Sequence, residues 1–213
     1  MHVLMLDDHA MFLQGLKILL SVLVPDLRLD TSGDLSNAIQ QVRLHDYDLV
    51  LLDWHLFEGD GERSMHQLRE AGCAARIVVL SGETSAVLIR KSIELGAAGF
   101  IPKTYSSEMM VAALDQVLAG RIFLPAEVHS GFEATGAKPV DLASDPRFAG
   151  LTGRQIDVYR AAARGLPNKL ISRELGIAES TVKTHLTAVF AVLGVRNRTE
   201  AAYQASRDGI PIA

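Results

Sequence analysis

Five short apolar runs recur in the first hundred or so residues, at 2–6, 27–31, 49–52, 77–80 and 99–101. Each is too short for a helix and reads as a strand buried on both faces. Between and after them lie stretches with helical spacing of apolar residues, at 11–24, 36–44, 61–71, 85–95 and 106–119. Strand–helix alternation of this kind predicts an α/β doubly wound parallel sheet of five strands and five helices. Parallel order matters for chemistry, because ligands in such sheets sit outside the carboxyl ends of the strands.

The residues at those ends are unusual. The first run ends in Asp7-Asp8, the third in Asp53, the fourth in Ser81-Gly82, and the fifth is followed by Pro102-Lys103. One sheet edge would therefore gather three carboxylates, a hydroxyl and an ammonium. A lone Asp after a strand is ordinarily a turn residue or a helix cap. Ordered spacing across four strand ends is not explained that way. Carboxylates so close repel unless a hard divalent cation joins them, and an oxygen-rich, partly hydrated site suits Mg2+. With such a cation in place, one carboxylate can act as a nucleophile toward a phosphoryl group. Ser81 would then hydrogen-bond the phosphoryl oxygens, Lys103 would pair with them, and Gly82 would leave room.

From residue 151 the pattern is helical only, with helices expected at 153–164, 168–175, 180–193 and 199–208. Two short helices flank Gly176-Ile177-Ala178, the spacing of a helix-turn-helix, which sets its second helix in a DNA major groove. Val182, Leu186, Val189 and Leu193 form the expected buried stripe of that helix. Lys183, Thr184 and Thr187 lie on another face, where Lys reaches guanine acceptors and Thr the thymine methyl. Lys169, Arg173, Arg196 and Arg198 flank it as candidate phosphate contacts. Charge divides the same way. Residues 146–213 carry ten Lys and Arg against five Asp and Glu, whereas residues 1–145 carry eleven against twenty. A helical bundle with a solvated basic face remains the plainer alternative at this point.

Residues 1–122 resemble the receiver domain of two-component response regulators. The resemblance rests on "LDDH" at 6–9, "LLD" with "GDG" seven residues on, "VLSG" at 79–82 and "GFIPK" at 99–103. It implies that Asp53 is the phosphoacceptor. Asp7 and Asp8 would be the acidic pair that binds Mg2+ with Asp53 and the backbone carbonyl of His55, with Asp8 the more direct ligand. Ser81 and Lys103 would sense the phosphoryl group, with Phe100 the aromatic that reorients. One departure is Leu56-Phe57 where the family commonly has Met-Pro. Trp54 and Phe57 are expected to add apolar surface beside the site.

Residues 151–205 resemble the LuxR-type four-helix DNA-binding domain, through "LTGRQ", "ARGLPNKLIS", "LGI", "STVKTHL" and "LGVRNRTEAA". Together the two resemblances place nearly the whole chain in the NarL/FixJ class of response regulators. They imply a receiver at 1–124, a linker at 125–147 and a DNA-binding domain at 148–213. Lys183 and Thr184 would reach bases, with Thr187 a weaker candidate. The last helix, with Thr199, Ala202 and Tyr203, would pair two copies on a two-fold DNA site. The implied partners are a sensor histidine kinase, double-stranded promoter DNA and a second copy of the chain. Departures here are Gln155 for the usual Glu in the first helix, Ala178 where a capping Ser usually stands, and no Lys or Arg in "VFAVL" at 189–193.

Composition narrows the remaining classes. A single cysteine, Cys73, excludes an internal disulfide and fits a reducing compartment. No apolar stretch approaches the roughly 18 residues a membrane span needs, and early acidic residues break any signal-peptide core. A cytoplasmic protein is expected. Phosphatases of the haloacid dehalogenase type, which use an aspartyl nucleophile, place a second Asp two residues on as general acid, where this chain has His55. An enzyme is therefore not expected, beyond the receiver's own phosphoryl transfer and hydrolysis. A regulator that acts without phosphorylation, by DNA or protein contact alone, stays open as the alternative.

Overall fold

The computed structural model describes residues 1–24, 26–56, 61–125, 145–207 and 210. Most of the expected linker and Phe57 lie outside them. The described chain divides into two compact units, 1–117 and 118–213.

The first unit alternates β1 (His2–Leu6), α1 (Ala10–Leu23), β2 (Arg28–Ser32), α2 (Leu35–Leu44), β3 (Leu49–Asp53), α3 (Gly61–Glu70), β4 (Arg76–Ser81), α4 (Ala86–Glu94), β5 (Gly99–Pro102) and α5 (Ser107–Leu118). The strands form one parallel sheet in the order β2-β1-β3-β4-β5. The expected α/β architecture is borne out. Each central strand is apolar on both faces because helices cover both. Val3–Leu6, Leu49–Leu52 and Ile77–Leu80 are almost wholly buried. β2 is the exception. Its sequence, RLDTS, leaves every position but Ser32 exposed or half-buried and sits at the sheet edge, where polar residues are tolerated.

Register places the chemistry. Leu6 pairs with Leu52 and Asp53 with Leu80, so the residues just beyond β1 and those ending β3 fall at one edge. Ser81 pairs with Pro102, and the Lys103 amide donates to the Ser81 carbonyl at 2.7 Å. That bond extends the ladder and fixes where Lys103 leaves the sheet. Local capping sets the helices that follow. Asp34 accepts from the Asn37 amide at 2.7 Å to start α2, and Ser85 accepts from Leu88 to start α4. At α1 the capping position is His9, whose side chain makes no cap bond.

Trp54 corrects one expectation. Its indole is 7 % exposed, buried rather than surface-forming. It packs on Gly61 at the start of α3, where a Cβ would lie 2.4 Å from two ring carbons. Glycine is required there by close approach. Leu56 is buried as well.

Among its described residues the second unit contains a 3-10 turn at Pro146–Phe148 and four helices, α6 (Gly153–Ala163), α7 (Asn168–Leu175), α8 (Glu179–Leu193) and α9 (Arg198–Arg207). One cluster gathers Phe148, Tyr159, Val189, Ala201 and Ala205, and a second gathers Val158, Ala162, Ile171, Val182 and Leu186. The fully buried Tyr159 donates its hydroxyl to the Ala201 carbonyl at 3.4 Å, tying α6 to α9. Val182, Leu186 and Val189 are buried as the helical spacing requires, while Leu193 is only partly so. Gln155 makes a complete capping box with Thr152, its Oε1 accepting from the Thr152 amide at 2.8 Å. The replacement of Glu therefore loses no bond there.

Candidate phosphoacceptor site and nucleic-acid interface

Asp53 ends β3 with its carboxylate 1 % exposed, and Asp7 just beyond β1 is equally buried. Lys103, just beyond β5, bridges them. Its Nζ lies 2.8 Å from Asp53 Oδ2 and 2.6 Å from Asp7 Oδ2. These lengths are ion-pair distances, yet neither oxygen gains a hydrogen bond of good geometry. The ammonium also lies 4.8 Å from the centroid of the Phe12 ring. The other Asp53 oxygen accepts from the His55 amide at 3.2 Å. Asp8 stands beside the pair, with 17 % of its side chain exposed.

Asp7, Asp8, His9 and Asp53 each offer an atom within 4.8 Å of the others, a spacing that could hold a metal ion. Two carboxylates at that separation repel by about 3 to 4 kcal/mol at an effective dielectric of about 20. One ammonium cannot offset three of them. Buried carboxylate oxygens without well-formed hydrogen bonds are groups a cation would satisfy. The donor set, rich in carboxylate oxygen and open to solvent, fits a hard divalent cation. The site opens into a cavity of about 410 Å³ lined by His9, Met11, Phe12, Asp53, His55, Gly82 and Lys103. A phosphoryl group can enter there.

Ser81 is fully buried, and its Oγ accepts from the Glu83 amide at 3.0 Å. Phe100 is fully buried in β5. His55 turns its exposed ring toward Glu83, with Nε2 3.7 Å from Oε2. The residue that sequence reasoning left without a role is His9. Its Nδ1 lies 2.8 Å from Asp8, 3.1 Å from Asp7 and 3.8 Å from Asp53. The signal was its place directly after the Asp7-Asp8 pair.

In the helical unit, Gly176 closes α7 in the left-handed region at φ 64°, and α8 starts three residues later at Glu179. The Ser172 hydroxyl donates to the Ile177 carbonyl at 2.6 Å and pins this turn. Lys183, Thr184 and Thr187 are exposed on α8, and Lys169, Arg173 and Arg196 are exposed near it. Thr184 and Thr187 bond back to the carbonyls of Ser180 and Lys183. Arg198 differs from expectation. Its guanidinium turns inward, donating to the Asn168 side chain at 2.7 Å and to the Leu166 carbonyl. Burial lowers its pKa to about 10. A group so engaged is not placed for phosphate. Thr199 and Ala202 are also buried, at 4 % and 1 % exposure. Of the residues expected to pair two copies, only Tyr203 reaches the surface.

A parallel sheet with an acidic, lysine-bridged edge, joined in one chain to a helix-turn-helix, defines a response regulator. The comparisons agree: residues 3–115 match the response regulator receiver domain, and residues 149–205 match the luxR family of bacterial regulatory proteins. The chain belongs to the NarL/FixJ class of two-component response regulators. Among its relatives, the nitrate/nitrite response regulator NarL of Escherichia coli K12 is 34 % identical over 203 residues, covering 94 % of this chain and 92 % of NarL. The transcriptional regulatory protein YdfI of Bacillus subtilis 168 is 30 % identical over 211 residues, covering 98 % of this chain and 96 % of YdfI. Among solved structures, RcsB of Salmonella enterica serovar Typhimurium bound to a promoter aligns with a TM-score of 0.55 at 20 % identity, covering 97 % of this chain and 98 % of that one. At that identity the likeness concerns the fold. These relatives are regulators rather than enzymes. Among the described residues, no helix is long and apolar enough to cross a membrane.

Proposed function

We propose that the chain is a transcription regulator whose DNA binding is controlled by phosphorylation of Asp53. The receiver would span 1–124 and the DNA-binding domain 148–213, joined by 125–147. The observation that carries this reading is the buried Asp53 carboxylate, held 2.8 Å from Lys103 at the mouth of a 410 Å³ cavity.

A histidine kinase would supply the phosphoryl group. An Asp53 oxygen attacks phosphorus, the bond to the donor's imidazole nitrogen breaks, and that nitrogen keeps the electron pair. Asp7, Asp8, Asp53 and the His55 carbonyl would hold Mg2+, which when bound neutralises charge on the transferring oxygens. Lys103 would exchange its pairing with the Asp53 oxygen for one with the phosphoryl oxygens. Ser81 would release the Glu83 amide and turn its hydroxyl to the same group. Space vacated by Ser81 would let the Phe100 ring move, which biases the receiver toward its active arrangement.

On DNA, Lys183, Thr184 and Thr187 would face base edges, while Lys169, Arg173 and Arg196 would hold phosphates. Arg198 would instead brace α9 against the start of α7. Pairing of two copies through Tyr203 is part of the reading, with Thr199 and Ala202 supporting the helix from inside. RcsB supports the DNA-bound, dimeric part of the reading, having been solved as two dimers on two parallel DNAs.

Intact mass after incubation with Mg2+ and acetyl phosphate tests the switch. One phosphoryl increment on the wild type and none on Asp53→Asn is expected. DNA affinity that is equal for the two proteins after a cognate kinase has acted would favour phosphorylation-independent regulation instead.

A further inference from the structure

His9 occupies a position the phosphorylation scheme does not use. It stands at the capping position of α1, where a Ser, Thr, Asp or Asn would normally bond the helix's free amides. Its ring makes no such bond. The backbone instead turns it over the acidic pocket, with its own amide donating to Asp7 Oδ1 at 2.9 Å. Nδ1 thereby faces all three carboxylates, at 2.8, 3.1 and 3.8 Å. Two-thirds of the side chain stays exposed, so the ring lines the pocket from its solvent side. Asp7 and Asp53 close it from within, their Oδ2 atoms buried and without well-formed hydrogen bonds.

We infer that His9 supplies a nitrogen ligand to the cation held by Asp7, Asp8 and Asp53, raising the affinity of this site for imidazole-binding first-row cations such as Zn2+ and Mn2+ above what the carboxylates alone give, with little effect on Mg2+. The inference rests on the proposed cation site and specifies its selectivity. An all-oxygen site already binds Zn2+ more tightly than Mn2+, in the general first-row order, so the part that His9 adds is read from its removal. Imidazole nitrogen adds an interaction that Zn2+ values highly, Mn2+ less, and Mg2+ hardly at all. On coordination Nδ1 would exchange its contact with Asp8 for one with the ion.

The test titrates the full chain with Mg2+, Mn2+ and Zn2+ separately by calorimetry, comparing wild type, His9→Asn and Asp53→Asn. His9 is exposed, so His9→Asn leaves the fold intact. It is expected to weaken Zn2+ binding by at least about tenfold, the scale on which even supporting residues matter in metal sites. Mn2+ should weaken less and Mg2+ by under about twofold. Spin-echo modulation spectra of the Mn2+ form should show a coordinated nitrogen in the wild type that His9→Asn removes. Equal changes for all three ions, or a nitrogen signal that survives His9→Asn, would overturn the inference while leaving the cation site standing. Binding indifferent to Asp53→Asn would overturn the cation site itself, and the inference with it.

Discussion

Asp30 on the edge strand shows how one partly buried hydrogen bond becomes a pH dependence. Tyr47 donates its hydroxyl to Asp30 Oδ2 at 2.7 Å, and His2 Nε2 lies 2.8 Å from the same atom. The Tyr47 bond, ahead of the His2 contact, holds the Asp30 carboxyl below its ordinary value of 3.8. Burial, with Asp30 adding to it, pushes the Tyr47 phenol above its ordinary 10. The signs are opposite. A depressed carboxyl contributes stability that is present above about pH 4 and lost as pH falls through the folded value. A raised phenol contributes stability that is present below about pH 10 and lost as pH rises beyond it, because the unfolded chain ionises first. Tyr47→Phe is therefore expected to lower stability at neutral pH. The gap to wild type should shrink below about pH 4 and again above about pH 10, read from urea midpoints across pH.

Gly61 makes the second residue-scale prediction. Alanine there would gain about 1 kcal/mol in helix propensity. Against this, the Cβ would overlap Trp54 at 2.4 Å, and overpacking of that kind costs about 1–3 kcal/mol. The clash exceeds the gain because the indole is buried and has nowhere to retreat. Gly61→Ala should lower the denaturation midpoint and shift the emission of Trp54, the chain's one tryptophan.

At the scale of elements, α8 begins without a side-chain cap. Ala178 offers none, and neither Glu179 nor Ser180 replaces it. Helix α7 likewise starts without a side-chain cap, at Pro167, whereas α6 is capped by Thr152 and Gln155 and α9 by Asn197, which accepts from the Glu200 amide at 2.8 Å. Ala178→Ser is expected to stabilise the helical domain by about 1 kcal/mol, seen as a higher thermal midpoint. Position 178 is already in the extended conformation a cap requires, at φ −65° and ψ 150°. The gain therefore needs no backbone change.

For the whole molecule, charge separates a basic end from an acidic remainder. Four of the flanking or reading cations stand exposed, Lys169, Arg173, Lys183 and Arg196, whereas Arg198 is spent inside the domain. Counterion release separates the two roles. Lys169→Ala should weaken DNA binding and reduce the slope of log affinity against log salt by about 0.9 per protomer. Arg198→Ala should leave that slope nearly unchanged. It should destabilise the domain by about 1–3 kcal/mol, because the Leu166 carbonyl and the Asn168 amide lose their buried partner. Fluorescence anisotropy over a salt series, beside thermal melts, reads both.

Much of this was legible in residue order. The parallel sheet follows from the alternation of buried runs and helical spacing, and the positions of Asp7, Asp8, Asp53, Ser81 and Lys103 at one edge follow from each standing where a strand stops. The helix-turn-helix is equally local, since Val182, Leu186 and Val189 mark the buried stripe by spacing alone. Periodicity reports what one element does along its own axis. It does not report which neighbour a side chain meets across space. That Trp54 lies under Gly61, that Arg198 turns in to Leu166 and Asn168, that Thr199 and Ala202 face the core, and that His9 leans over three carboxylates were decided by packing between elements. There the nearest available partner or void, rather than the chain's own period, sets the direction of the side chain.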